Sequence, residues 1–436
     1  MKKYLNKKNL TIISILIIIL GIFVKYNYYK FYSIYFTYKY NYTKNIIEKK
    51  NSKLLKIMDD GKIFFEKEEY KFKKFSLEKY GVFFRKKYIH RPVGYFDIYM
   101  NRIIFVSYDG TIFYSNNIDE IKENNNLILK KFKTLNYNLE FDEKDIQAYR
   151  NIKIRDILID DDKLYLVTNG RTKISDDNYY ASTNILYGKI NLNDFSIKIK
   201  KFYSPDEKIF NVGDWAHSGG RLVKYKNSSF LLAVPDYALK IDSKNFANLI
   251  NSDESIIGKI LLIKDGKSKV FSYGHRNPQG LLYDKKNNLI FETEHGPTGG
   301  DEINLIKFKK NYGWPYVTYG AKIQGLNKFR NHKKNGYVEP LKYWWPANCA
   351  QSEIIKVDKN FNYNWKKYTL ISACLSGSKN QGESIYRWEF DPKKEKLIKK
   401  NKYYVGDRIR DIKYLKEKKI ILMLLENQRS LVLIFK

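Results

Sequence analysis

Only two cysteines and five histidines occur in 436 residues. Neither Cys349 nor Cys374 stands in a CxxC or beside a histidine, which excludes a zinc knuckle and a redox dithiol. Both readings of the pair stay open: one disulfide in an oxidising compartment, or two buried free thiols. No RRM, KH, zinc-finger or helix-turn-helix pattern is present. The 80 Lys and Arg outweigh the 47 Asp and Glu, a formal charge of +33, but they are spread along the whole chain. A nucleic-acid footprint is a clustered patch, so no nucleic-acid partner is expected. A disordered chain is excluded too, because 43% hydrophobic and 16% aromatic residues supply a large core.

Charge is missing altogether from Leu10 to Val24, LTIISILIIILGIFV, between Lys8 and Lys25. The run is a little short of the ~20 residues that cross a bilayer, and Tyr26, Tyr28 and Tyr29 extend it at the interface. No small-x-small cleavage site follows, which favours an uncleaved signal anchor over a removed peptide. Lys2, Lys3, Lys7 and Lys8 hold the N-terminus in the cytoplasm. The expected organisation is therefore a transmembrane helix over residues 1–30, a stalk or linker over 31–85, and one body over 86–436 outside the cytoplasm. For a bacterial inner membrane that means the periplasm.

Within the body, short runs of β-branched and aromatic residues alternate with Asp, Asn, Gly and Lys turns. Six stretches share the form apolar strand, polar turn, apolar strand: Phe96–Phe113, Ile154–Gly170, Arg221–Asp236, Gln279–Gly296, Ser352–Gly377 and Ile409–Asn427. Such a unit exposes sheet edges and cannot bury both faces alone, so several must pack around a shared axis. The fold class is all-β, a six-bladed β-propeller, with a β-sandwich as the alternative. The spacing is looser than in WD40 or kelch repeats, and no WD dipeptide marks the blades.

Three histidines fall in Gly-rich motifs between these strands. HSGGRL puts His217 just before a strand, with Gly219 and Gly220 open to close approach by a ligand; a lone histidine there equally reads as a turn residue. GHRNPQGL gathers Arg276, Asn277 and Gln279, whose planar fork and amides suit an anionic, oxygen-rich planar ligand, or else cap a strand. In EHGPTGGDEINLI the carbonyls of Gly296 and Pro297, with Glu302 nearby, have the donor types of a calcium site, though the turn also reads as an ordinary loop. NYGWP then supplies Tyr312 and Trp314 to wall the site.

HSGGRL, GHRNPQGL, EHGPTGGDEINLI, NYGWP and GDRIRDI occur in one order, and that order resembles the PQQ-dependent soluble glucose/aldose sugar dehydrogenases (glucose/sorbosone dehydrogenases) over roughly residues 150–436. The resemblance implies an oxidoreductase in which His217 is the general base and Arg276 assists at the quinone oxygen. It implies PQQ contacts at Arg276, Asn277, Gln279, Arg408 and Arg410, and calcium held by Gly296 and Pro297, with Glu302 and Tyr312 at a neighbouring calcium site. An aldose is the implied substrate and a quinone or cytochrome the implied electron acceptor.

This chain departs from the pattern at Leu375–Ser376, where relatives carry a Lys, at Asn151–Ile152–Lys153, where a Gln-Gly is expected, and at Ala216, where glucose dehydrogenases have Asp. These departures keep open a propeller without PQQ that binds carbohydrate or protein at the cell surface. A calcium-dependent lactonase-like hydrolase is a third reading, but no clear cluster of channel carboxylates supports it.

Overall fold

A computed structural model describes residues 53–54, 61–80, 93–108, 110–135, 154–175 and 178–436, apart from 208, 210–216, 218, 240–242, 298, 321–327, 330–331, 346–347, 366 and 377–381. The Leu10–Val24 run expected as a transmembrane helix lies outside the described residues, as do Asn151–Lys153 and Ala216. Among the described residues, no helix is long and apolar enough to cross a membrane.

Six sheets follow one another along the chain, antiparallel except for the short parallel pairs of Lys53–Leu54 with Lys396–Tyr404 and of Lys133–Leu135 with Ser196–Lys198. Their first strands are Gly94–Tyr99, Ile154–Asp160, Leu222–Lys224, Pro278–Asp284, Gln351–Val357 and Ile409–Leu415. These six strands neighbour one another in a ring, and the sixth meets the first. This is the six-bladed propeller expected, and each of the six repeat stretches supplies the first two strands of one blade.

Because every blade is covered on both faces by its neighbours, its middle strands read as continuous apolar runs. Ile420–Leu425 (IILMLL) and Ser430–Phe435 (SLVLIF) are buried throughout. Side chains still alternate, so Phe230, Leu232 and Val234 pack toward blade 2 while Leu231 and Ala233 pack toward blade 4. The apolar residues accordingly fall into six clusters, one at each interface between consecutive blades. Outer strands face solvent and are lysine-rich, as in Lys396–Tyr404 (KLIKKNKYY). The hairpins close with turn residues at positive φ, as at Met100 and Asn101, which join the first two strands of blade 1 in the mirror-image turn that matches strand twist.

One segment differs from expectation. Residues 61–76, placed by sequence in the stalk, form the strands Gly61–Phe65 and Glu68–Ser76 of blade 6. Glu68–Ser76 pairs antiparallel with Ser430–Phe435, Phe72 opposite Ile434. The early strands thus complete the last blade and cover an otherwise open sheet edge. Their alternation of buried Ile63, Phe65, Tyr70 and Phe72 with exposed Lys and Glu is the signature that a search for hairpin repeats passes over.

At the axis the first strands carry polar side chains that tie blade to blade. Asp97 accepts from Ile159 N, Asp156 from Leu222 N and Asp411 from Phe96 N, each bond reaching the following blade. Arg221 sits among them, 2.8 Å from Asp156, 3.0 Å from Glu353 and 3.4 Å from Asp411, and donates through Nε to the Gln279 carbonyl. Blade 4 contributes Gly280 at this level because there is no room for more: a Cβ there would lie 2.8 Å from the Glu353 Cα.

Candidate active site

The segments that lead into the first strands and out of the second strands lie at one end of the propeller. They bring His217, Asp236, Arg276 and Gly296 together from blades 3 and 4. His217 Nδ1 is 2.7 Å from Asp236 Oδ1, and Arg276 Nη2 donates to His217 Nε2 at 2.7 Å. Guanidinium only donates, so Nε2 carries the lone pair and Nδ1 the proton, which it gives to the carboxylate. Asp236 Oδ1 also accepts from Ala238 N at 2.9 Å, and Oδ2 accepts from Trp314 Nε1 at 2.9 Å. Burial pushes the Asp236 carboxyl up, but His217, its hydrogen bond and Arg276 together hold it below the usual range. The aspartate is therefore a fixed anion that orients the ring.

Arg276 is held on four sides. Its backbone N–H donates to Glu294 Oε2 at 2.7 Å, Nη1 donates to the carbonyls of His295 at 2.9 Å and Gly296 at 2.6 Å, and its guanidinium lies over the Trp314 ring. The carbonyls of His295 and Gly296 thus converge on one guanidinium; of the turn expected to hold calcium, Gly296 and Pro297, the Gly296 carbonyl is among them. Asp301 braces that turn: its Oδ1 accepts from Gly296 N, and its Oδ2 from Cys349 N and Ala350 N. Burial pushes Asp301 up to about 6, against these three N–H donors. Cys349 and Cys374 form a disulfide beside it.

The other expected residues fall into two groups. Gln279 Nε2 donates to Asn277 Oδ1, and Asn277 O accepts from His295 N, so this pair shapes the loop that carries Arg276. Arg408 and Arg410 both use Nε on one carboxylate, Glu426, at 2.6 and 2.5 Å. Two guanidinium groups against one buried anion leave net positive charge on this wall, and buried Arg155, pulled down to about 10 by burial and in part by Arg410, adds to it. Such a wall fits a planar polycarboxylate such as PQQ.

Glu302 and Tyr312 are placed differently from the turn. Tyr312 gives its hydroxyl proton to Leu305 O at 2.6 Å and accepts from Lys307 N at 2.9 Å, so its phenol is committed within blade 4. Glu302 faces Asn304 and His332 inside the blade. At the departure Leu375 is buried, and Ser376, at the place of the relatives' Lys, is half-buried and offers no cation. Gly219 does not admit a ligand; a Cβ there would lie 2.2 Å from the Pro278 carbonyl, so the glycine lets two backbones of the protein cross.

Sequence reasoning missed Asp236, Asp301, Glu294 and Glu426, each of which orients a predicted residue. Asp301 had a signal, since it immediately precedes the singled-out Glu302, and strand alternation turns adjacent residues to opposite faces. The partnership of Asp236 with His217 spans a whole hairpin and has no local mark.

The glucose/sorbosone dehydrogenase family model matches residues 181–433. The chain is 28% identical over 219 residues to the aldose sugar dehydrogenase YliI of Escherichia coli K12, an alignment covering 46% of this chain and 56% of that protein. Against quinoprotein glucose dehydrogenase B of Acinetobacter calcoaceticus it is 33% identical over 128 residues, 26% of this chain and 24% of that one. The chain thus spans about half the length of the first curated relatives it matches, and less of this one. In structure it resembles the PQQ-bound aldose sugar dehydrogenase of Streptomyces coelicolor, with a TM-score of 0.56 at 17% identity over 84% of this chain and 98% of that one, a likeness of fold.

Proposed function

The chain belongs to the glucose/sorbosone dehydrogenase family, and from that membership we propose that it oxidises a hydroxyl-bearing carbon of an aldose, with His217 as general base. The observation that carries the reading is the Asp236–His217–Arg276 line, which directs the Nε2 lone pair of His217 at the Arg276 guanidinium. A sugar hydroxyl that replaces Arg276 at Nε2 gives its proton to that lone pair, and Asp236 stabilises the imidazolium that results. The displaced guanidinium is then free to donate to the oxygen on which negative charge develops. PQQ, when bound, supplies the two-electron acceptor for the hydride that leaves the same carbon. Arg408 and Arg410 are the groups that would hold its carboxylates, and the Gly296–Pro297 carbonyls those that would hold calcium against it. A quinone or cytochrome is the proposed onward acceptor.

The same proposal puts the propeller in the periplasm behind a Leu10–Val24 anchor, and the Cys349–Cys374 disulfide favours an oxidising compartment. A second reading, a PQQ-free surface module that binds carbohydrate or protein, is favoured by the uncharged Ser376, which stands where relatives carry the Lys of an LK pair. One experiment separates the two. PQQ and calcium are added to the purified chain, and aldose-dependent reduction of an artificial acceptor is followed together with quinone absorbance. Reduction that disappears in His217→Ala while PQQ remains bound supports the enzyme. Absence of both PQQ binding and reduction overturns it.

A further inference from the structure

Blade 4 turns an acidic face toward blade 3, and the sugar-oxidising site uses only Glu294 of it, through the Arg276 backbone N–H. Its second and third strands, Leu289–Glu294 and Asp301–Ile306, pair with Glu292 opposite Asn304 and Glu294 opposite Glu302. Alternation puts these four side chains on the same face as Ile290 and Ile306, which pack in the apolar interface with blade 3. Carboxylates facing each other across a ladder in such a place are unfavourable unless something positive lies between them. Asn304 cannot meet the demand: its Nδ2 is 3.0 Å from Glu292, 3.5 Å from Glu294 and 3.3 Å from Glu302, two N–H groups for three acids. Burial raises all three glutamates above the usual carboxylate range.

Three polar atoms of fully buried side chains in this cluster have no hydrogen-bond partner among the described residues: Glu292 Oε1, Asn304 Oδ1 and His275 Nδ1. The His275 ring is fixed by Ser272 Oγ at 2.8 Å from Nε2 and by stacking on Tyr312. One ligand atom from each of His275, Glu292 and Glu294 lies within 4.8 Å of the other two.

We propose that His275, Glu292 and Glu294 bind a divalent transition-metal ion of the zinc or manganese class between blades 3 and 4, with Asn304 Oδ1 as a further ligand. An imidazole nitrogen with carboxylate oxygens suits such an ion, whereas calcium takes oxygen donors alone. Ligand distances of ~2.0–2.2 Å require these side chains to close by under ~1 Å, a rotamer adjustment. The ion neutralises two of the carboxylates and satisfies the orphaned atoms at once. Because Glu294 also accepts the Arg276 backbone N–H, the ion braces the loop that carries Arg276. This site is separate from the Gly296 carbonyl turn and does not depend on sugar oxidation.

The site is closed to solvent, so the ion enters as the chain folds. The test uses the purified full chain, dialysed against EDTA and analysed for metals, then unfolded and refolded with Zn2+ alone, Mn2+ alone, Ca2+ alone or chelator. The expected result is ~1 equivalent of zinc or manganese retained through dialysis, a higher unfolding midpoint after refolding with that ion, and loss of both in Glu292→Gln with unchanged circular dichroism. A metal-free chain whose midpoint ignores Zn2+ and Mn2+ overturns the proposal, and the three acids then share protons instead. Calcium as the sole ion retained, or full retention of the metal by a folded Glu292→Gln, overturns it as well. If that variant does not fold, the metal count and refolding response of the unmutated chain decide.

Discussion

His217 Nδ1 stands 2.7 Å from Asp236 Oδ1, and this contact settles which nitrogen of the ring can take a proton. A carboxylate only accepts, so the proton sits on Nδ1 and the basic lone pair on Nε2. Trp314 Nε1 and Ala238 N hold the aspartate in place from the other side.

Asp236→Asn tests that relation at almost constant shape. The amide can donate to Nδ1, which moves the ring proton to Nε2 and leaves no base facing the substrate. On the proposed function, kcat falls by ~10²–10⁴ while KM changes little, as expected when only the transition state loses an interaction. Steady-state kinetics with an aldose and an artificial acceptor read it. Unchanged kcat would detach Asp236 from the base.

Arg221 is the positive centre of an axial hub with Asp156, Glu353 and Asp411, all buried. Arg221→Met keeps volume but leaves these carboxylates facing one another, with Lys413 still beside them. Removal of one partner from a buried ion network costs roughly 3–5 kcal/mol, and urea denaturation should show a loss of that size with the slope retained. A loss below ~1 kcal/mol, the range of an exposed pair, would mean the hub is not what ties the blades together at the axis.

Lys259 gives the propeller an unusual alkaline response. Its Nζ donates to the carbonyls of Leu249, Ile250 and Ile257, and burial lowers it to about 7 against the opposing pull of Glu207 and Asp253. An unfolded lysine titrates near ~10.4. Between about pH 7 and ~10 the unfolded chain therefore holds a proton that the folded chain has released, so stability rises with pH across that window and not below it. Urea midpoints at pH 7, 8 and 9 should climb, and Lys259→Met should remove the climb. The same slope in the variant would assign it to other groups.

Blade number was legible because each inner pair of strands repeats one local pattern, apolar strand, polar turn, apolar strand. His217, Arg276 and Gly296 were legible because they sit in Gly-rich motifs whose order is itself informative. Residues 61–76 were misplaced for a physical reason: their pairing partner, Ser430–Phe435, lies at the other end of the chain, and a strand that completes a distant sheet looks locally like any amphipathic segment. Glu302, placed by resemblance at a calcium site neighbouring the carbonyl turn, lies by alternation on the opposite face of its strand from Asp301, which braces that turn.

The amino-acid sequence by itself determined the class of fold, the number of blades and the motif residues, because strand periodicity and turn chemistry act over a few residues. Only the tertiary structure decided how those residues are partnered. Asp236 reaches His217 and Glu426 reaches Arg408 and Arg410 across the first hairpins of blades 3 and 6, and Arg221 gathers three carboxylates through contacts that closing the ring of blades creates. Packing the blades face to face also isolates His275, Glu292 and Glu294 from water, and burial turns ordinary strand residues into a candidate metal site.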